Sequence, residues 1–545
     1  MRRRLITLSL LLALCTAATA QNDKGFEISK NLEIFANVYK NLHSNYVDDV
    51  DPGKTMKVAL DAMLASMDPY TNYFAESDIE DVKLQVLGQY GGIGSLIHQE
   101  NGKSYIAEPY KDLPADKAGV KIGDRILAVN GESTEGRSST DVSSAMRGQA
   151  GTNVTLRLER DGKEFDVVIT RAEIRLPNVS YSGMVKGNVG YIRLDEFTQD
   201  AAKNVRDAFR QLKRDHPDMQ GVILDLRGNG GGLMNEAVDI VNIWVKANEL
   251  VVETKGKVAS KNTKSRTHLA PEDLDIPVAV LINGNSASAS EIVSGSLQDL
   301  DRAVIIGERS YGKGLVQNIL PMPYNSQMKV TVSKYFIPSG RCIQAIDYKH
   351  RDENGRAVKV PDSLKTAFQT RNGRTVYDGF GIEPDIEVEH ETSSLLSVAL
   401  YNRFHFFNYA MKFAKEHESI PPAGEFEITD EIYQDFVNYL SDKSYEYTTY
   451  TENIISDLRK VAEEENYMDN LKQQIDQLEK TYKEAKQEDL MRNREEISEL
   501  LKDAILVHYY YRKGCIEGSL AADPDVKKAV EVLTNKAEYN RILNK

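Results

Sequence analysis

The sequence predicts a multidomain chain of mixed α/β (α+β) class, and three observations carry the prediction. Its 545 residues exceed what one core holds at about 150 residues per domain, so three or four units are expected. Hydrophobic residues make up 41% and charged residues 28%, a balance that supplies packed cores and excludes wholesale disorder. The apolar spacing also changes along the chain, from helical, to short β-rich runs punctuated by glycine, to alternating strand and helix, and back to helical. These changes divide it into a removable leader (1–20), an N-terminal helical segment (21–85), a small β-barrel module (86–172), an α/β core (173–390) and a helical C-terminal domain (391–545).

The leader reads as an export signal. Arg2, Arg3 and Arg4 form a basic start, Leu5 to Leu14 an apolar run, and Ala18-Thr19-Ala20 a small-x-small site before Gln21. Ten apolar residues are too few to span a bilayer, and no later segment holds eighteen, so no membrane span is expected. Export to a periplasm is the expected localisation. A lipid anchor on Cys15 is the alternative, which the bulky Leu14 before it disfavours. Losing three arginines takes the net charge from −14 to −17, and with no basic block in the remainder nucleic acid is excluded as a partner. Cys342 and Cys515 then remain, too few for a disulfide framework and expected as ordinary thiols. Neither has a neighbour at metal-ligand spacing, and no HExxH or CxxC occurs, so neither metal nor cofactor is expected.

In order along the chain, Ile28, Leu32, Phe35, Val38 and Leu42, then Met56, Leu60 and Leu64, predict two helices separated by an Asp51-Pro52-Gly53 turn. Strands are predicted at Ile93–His98, Tyr105–Glu108, Arg125–Val129, Val154–Leu158 and Phe165–Thr170, with a helix over Ser139–Arg147. The core alternates, with strands at Val189–Leu194, Gly221–Leu226, Val278–Ile282 and Ala303–Gly307 and helices at Ala201–Lys213, Met234–Val245 and Ala289–Gln298. Lys255–Asp273 is polar and reads as an exposed loop. Leu471, Ile475, Leu478, Tyr482 and Ala485 keep a 4,3,4,3 spacing, enough for a short helical seam. Both helical ends offer surface for a homodimer or larger homo-oligomer, or walls for a substrate channel.

Three clusters could carry chemistry. Asn283-Gly284-Asn285-Ser286-Ala287-Ser288-Ala289-Ser290-Glu291 lies between a strand and a helix, where serines either cap the helix or stand beside its free N–H groups and positive dipole end. In Ser310-Tyr311-Gly312-Lys313-Gly314 a lysine is hemmed by glycines; desolvation there lowers an ammonium pKa and lets it serve as the base a serine hydroxyl needs. Asp225-Leu226-Arg227-Gly228-Asn229-Gly230-Gly231-Gly232 follows a buried strand and can orient backbone donors; it lacks the Walker lysine and GxGxxG spacing of nucleotide loops. No histidine in the core has the patterned context of a Ser-His-Asp triad.

The Tyr90-Gly91-Gly92-Ile93-Gly94 loop and the Gly123-Asp124-Arg125-Ile126-Leu127-Ala128-Val129-Asn130-Gly131 run resemble a PDZ domain. Its glycine loop receives a peptide carboxylate on bare N–H groups while the ligand adds a strand to the sheet. With the three clusters downstream, and with Tyr335-Phe336-Ile337-Pro338-Ser339-Gly340-Arg341 and Gly381-Ile382-Glu383-Pro384-Asp385, residues 26–390 resemble the carboxyl-terminal processing peptidases, or tail-specific proteases. The resemblance implies an α/β tail-specific-protease core and a serine endopeptidase acting on protein or peptide substrates with accessible C-termini. It assigns Ser288 as nucleophile, Lys313, 25 residues later, as general base, and Gln317 as the residue orienting the lysine, with Asp299 the other candidate for that third place. It further assigns the N–H groups of Gly231 and Ala289 as oxyanion donors, and Gly92, Ile93 and Gly94 as carboxylate binders. Arg147, at the end of the PDZ helix, could report groove occupancy to the core, or simply stabilise the helix dipole. The reading from another class is a non-catalytic periplasmic peptide-binding or chaperone module, in which Ser288 and Lys313 are structural.

Overall fold

A computed structural model describes residues 2–78, 88–353, 355–390 and 392–545, with side chains from residue 24 onward except at 77 and 362. Met1–Tyr73 together with Ile319–Val330 form one compact unit, and Phe74–Asn318 together with Thr331–Lys545 form a second. In the first, a helix over Arg2–Asn45 is followed by another over Pro52–Ala65. The expected Asp51-Pro52-Gly53 turn is instead a helix start. Asp51 is the N-cap, its carboxylate accepting from Lys54 N, and Pro52 occupies the first turn, where its missing N–H is not needed. Among the described residues, no helix is long and apolar enough to cross a membrane.

In the second unit, the PDZ module is a sheet ordered Ser95–Glu100, Lys103–Pro109, Arg125–Val129, Asn153–Arg160, Lys163–Thr170, with the helix Ser139–Met146 packed on it. Ile106, Ile126, Val142, Val154, Leu156 and Leu158 fill its core. Asp124 of the GDRI run is wholly buried and takes both forks of Arg160 at 2.6 Å, which explains an aspartate beside a core strand. The strand expected over Ile93–His98 starts two residues later and runs over Ser95–Glu100. Gln89–Gly92 pairs with Ala172–Arg175, the chain turns at Ile93 and Gly94, and a new strand starts at Ser95.

The core is a six-stranded sheet ordered Val179–Val185, Val189–Leu194, Gly221–Asp225, Val278–Ile282, Val304–Gly307, Ile386–Glu387. The first pair is antiparallel and the rest are parallel. Alternate residues serve opposite faces. Ile192, Leu224, Val280 and Ile305 pack on the helices Ala201–Asp215, Met234–Trp244 and Ala289–Asp299. Tyr191, Ile223, Leu281 and Ile306 pack on Val526, Ala529, Val532, Leu533 and Tyr539 of the last two helices, Pro524–Thr534 and Lys536–Ile542. Such strands are apolar throughout because both faces are covered, each Ile or Leu contributing roughly 1.5–3 kcal/mol.

The helical C-terminal stretch therefore divides among three clusters. The helices Leu395–Asn402, His405–Glu416, Asp430–Leu440 and Arg494–Ser519 gather around Phe406, Tyr409, Phe436, Leu501 and Ile505, while the final two cover one face of the six-stranded sheet. The seam helix Met468–Lys486 pairs with Tyr450–Glu464 through Ile475, Tyr482, Ile455 and Ala462, but Leu471 and Leu478 stay exposed. The polar stretch Lys255–Asp273 is not simply a loop. Thr263–Arg266 pairs antiparallel with Leu250–Gly256, Thr254 and Thr263 sharing a hydroxyl bond of 2.8 Å. Cys342 and Cys515 are free thiols.

The PDZ module is fastened to the helical domain. His98 is stacked against Phe404 with ring centroids 4.4 Å apart and meets Phe407 edge-on at 4.5 Å, and burial lowers its pKa to about 4. Lys415 pairs with Asp161. The long helix Arg494–Ser519 breaks at Tyr511 (φ 56°, ψ −169°), and the Arg512 N–H thereby reaches the buried Glu108 carboxylate at 3.1 Å.

Candidate active site

The helix Ala289–Asp299 is buried along its whole length. Ser and Gly at 290, 294, 295 and 296 let it lie close to its neighbours; a Cβ on Gly295 would come within 2.6 Å of Ile382. Ser288 immediately precedes it with φ 57° and ψ −111°, a backbone that side chains rarely adopt. The flanking serines do not merely cap. Ser286 Oγ donates to Leu226 O at 2.8 Å and Ser290 Oγ to Asn229 O at 2.9 Å, so both hold the Asp225–Gly232 loop against the Ser288 turn.

That loop brings Gly231 beside the helix start. Its φ is +100°, and a Cβ there would stand 2.8 Å from Ser288 Cβ and 2.9 Å from Ala289 N, so only glycine fits. Ala289 is the first helical residue, whose N–H has no intrahelical acceptor. Gly231 N–H donates to Asn229 Oδ1 at 2.9 Å and would have to be shared with, or turned from, that carbonyl to serve an oxyanion. Asn229 is wholly buried, its amide donating to Leu194 O at 2.8 Å.

Lys313 sits between Gly312 and Gly314, before the strand Leu315–Met322 rather than within it. Gly312 has φ +89° and lies against Ala345, where a Cβ would come within 2.3 Å. Two residues tie this turn to the serine. Glu291, wholly buried, accepts from Ser310 Oγ (2.5 Å), Gly312 N (2.7 Å), Lys313 N (2.9 Å) and Ser288 N (2.8 Å). Its Oε2 alone serves the last two, so the Ser288 and Lys313 nitrogens cannot be more than about 6 Å apart. Tyr335, also buried, has its hydroxyl 3.1 Å from Ser288 O and 2.7 Å from Lys313 O. Burial pushes the Glu291 carboxyl up to about 7, its four hydrogen-bond donors opposing, and raises the Tyr335 hydroxyl as well.

Of the residues named from the sequence, Ser288, Lys313, Gly231 and Ala289 are thus gathered by one carboxylate, one phenol and two loops. Gln317 lies on the following strand and donates to Thr331 Oγ1 at 3.2 Å. Asp299 is engaged elsewhere. Arg341 lies 2.9 Å from its Oδ1, and Ser339 N donates to its Oδ2 at 2.9 Å, within the Tyr335–Arg341 run. Gly92, Ile93, Gly94 and Arg147 form a separate cluster in the PDZ module. Ile93 is buried and its carbonyl accepts from Ala115 N, Gly94 O accepts from Tyr110 N, and the Arg147 guanidinium lies 5.1 Å over the Tyr90 ring. Glu291, Tyr335 and Asn229 had no role in the sequence reading. The available signal was a glutamate three residues after Ser288, the spacing of a capping box.

Comparison with known proteins places the chain in a family. Peptidase family S41 matches residues 188–351, a PDZ domain residues 105–160, and a "Probable PDZ-protease, C-terminal helical domain" residues 396–533. The carboxy-terminal-processing protease of Bartonella bacilliformis (strain ATCC 35685 / KC583 / Herrer 020/F12,63) is 35% identical over 340 residues, 62% of this chain and 77% of that one. A "Probable CtpA-like serine protease" of Staphylococcus aureus (strain MSSA476) is 31% identical over 390 residues, 70% of this chain and 77% of that one. Among solved structures, a photosystem II D1 C-terminal processing protease aligns over 65% of this chain and 92% of its own at 24% identity, with a TM-score of 0.36. The family matches and the two sequence relatives define the class as a serine-type peptidase carrying a PDZ domain. The chain belongs to the carboxy-terminal-processing protease family, and the resemblance drawn from its sequence runs is borne out.

Proposed function

We propose that the protein is an exported, periplasmic endopeptidase that uses a Ser288–Lys313 pair to cleave protein substrates captured by their C-terminal tails. The observation that carries this reading is the sharing of Glu291 Oε2 between the Ser288 and Lys313 main-chain nitrogens. A carboxylate buried at desolvation cost to join two turns 25 residues apart makes sense where their relative position matters.

In the proposed reaction, the neutral Lys313 amine takes the Ser288 hydroxyl proton as Oγ attacks the scissile carbonyl. The oxyanion is received by the Ala289 and Gly231 N–H groups at the positive end of the helix Ala289–Asp299. Collapse expels the amine, protonated by the Lys313 ammonium, and leaves an acyl-serine. Water, deprotonated by the same amine, then releases the acid and restores Ser288. Gln317 orients the lysine from the adjoining strand. The Gly92-Ile93-Gly94 loop holds the substrate carboxylate, and Arg147, lying over Tyr90 on the strand that leads into it, reports its occupancy.

The test is incubation of an unfolded polypeptide with the protein and with its Ser288→Ala and Lys313→Arg forms. Cleavage by the unaltered protein alone supports the pair, because a guanidinium stays charged and cannot act as the base. Turnover by Lys313→Arg would overturn the mechanism, and intact polypeptide in every tube would favour a binding module.

A further inference from the structure

We infer that Asp523 and Asp525, at the start of the helix Pro524–Thr534, are positioning residues for the proposed oxyanion loop, acting through Arg227. The inference rests on the reading of Gly231 as an oxyanion donor and extends it by giving the start of the helix Pro524–Thr534 a part in the reaction.

The loop after the strand Gly221–Asp225 is intrinsically pliable. Gly228, Gly231 and Gly232 all have positive φ, and glycine gives the backbone the widest range to explore. A donor must nevertheless stand within a few tenths of an ångström of its place. The loop's first charged residue is fixed from both sides. On one side Asp225, wholly buried, accepts from Arg227 N at 2.9 Å and Arg227 Nη2 at 2.6 Å, and from Tyr191 Oη at 2.6 Å. On the other, Arg227 Nη1 donates to Asp525 Oδ2 at 2.8 Å, and Nη2 lies 2.7 Å from Asp523 Oδ2. Asp525 is itself buried and has His390 Nε2 3.2 Å from its other oxygen. Asp523 cannot swing freely, because its Oδ1 also accepts from Asp525 N and Val526 N as the N-cap of the helix.

Docking of the helix also has an apolar basis. Val526, Ala529, Val532 and Leu533 already bury an apolar face on the sheet. A buried ion cluster is a poor source of net stability, since desolvation offsets the attraction, whereas it fixes orientation strongly. The planar guanidinium, forked between Asp225 and the Asp523/Asp525 pair, converts a rigid helix end into a rigid origin for the glycine loop. From there Asn229 and Gly231 follow within four residues.

The experiment uses the full chain with both aspartates neutralised (Asp523→Asn with Asp525→Asn). It reads steady-state peptide hydrolysis, equilibrium unfolding, and hydrogen exchange of the 226–232 amides. Tyr539→Phe is the control. It weakens the same helix pair by removing a hydroxyl bonded to Arg302 O and Val278 N, without touching Arg227. Expected is a fall in kcat of about 10-fold or more with KM within about twofold, faster loop exchange, and partial recovery of kcat in Asp525→Glu. Tyr539→Phe should lose stability while keeping kcat and loop exchange. Unchanged kcat or unchanged exchange in the folded variant overturns the inference, as does an equal kcat loss in Tyr539→Phe. Should the double variant not fold, Asp525→Asn alone is read the same way. If Ser288→Ala left hydrolysis intact, the proposed function would fail while loop exchange still decided this inference.

Discussion

At Ser288 the backbone sits at φ 57° and ψ −111°, a strain of about 1–3 kcal/mol for a residue with a Cβ. Glycine relieves it and loses only about 0.5–1 kcal/mol through the entropy of the unfolded chain. Ser288→Gly is therefore expected to be inactive yet at least as stable as the parent, read as a urea midpoint that is unchanged or higher at constant m. Glu291 makes the opposite prediction. In Glu291→Gln an NH₂ replaces one accepting oxygen, leaving donors of either the Ser288/Lys313 pair or the Ser310/Gly312 pair without an acceptor, at about 1–3 kcal/mol. We expect kcat to fall at least about 10-fold with KM little changed. The carboxylate is the form that accepts four donors, and with a folded pKa of about 7 its protonation should contribute an acid limb to the rate profile. The stability sign is opposite to that of a salt-bridged acid. Its folded pKa lies above the ordinary 4.5, so its favourable contribution is complete below 4.5 and is lost as pH rises through about 7. Unfolding midpoints of parent and Glu291→Gln, compared from pH 4 to 8, should show the parent losing ground across that window.

At the scale of elements, legibility followed whether a residue's burden was local. Arg125–Val129, Val189–Leu194 and Val278–Ile282 were readable to the residue because short, mostly apolar runs between turn signals have few other uses. Thr263–Arg266 was not, since its four polar residues make a strand only through their ladder to Leu250–Gly256. The serine and lysine turns were recognisable as glycine-framed motifs, whereas Glu291 and Tyr335 act across the fold and carry no pattern of their own. Arg147 closes the helix Ser139–Met146 and covers Tyr90. If it reports tail binding, Arg147→Ala should lower peptide hydrolysis severalfold in the full chain. The loss should vanish in a form lacking the PDZ segment, and persistence of the loss there would reduce Arg147 to a helix-end charge.

Across the whole molecule, amphipathic spacing in the last 150 or so residues announced helices but not which surface each would cover. The final pair packs on the six-stranded sheet, and the Tyr539 hydroxyl donates to Arg302 O at 2.8 Å, just before the strand Val304–Gly307, and accepts from Val278 N at 3.1 Å. Removing that hydroxyl strands two buried main-chain groups, so Tyr539→Phe should destabilise by about 1–3 kcal/mol, measured by chemical denaturation. The attachment of the PDZ module has a different character, because at Tyr511 the long helix breaks and presents the main-chain N–H of Arg512 to Glu108. Sequence drift at position 512 leaves this fastening untouched, since every amino acid but proline brings the same donor. The heritable constraint falls instead on the acceptor at 108 and on a chain able to hold the break at 511, which is where divergent descendants of this protein should vary least.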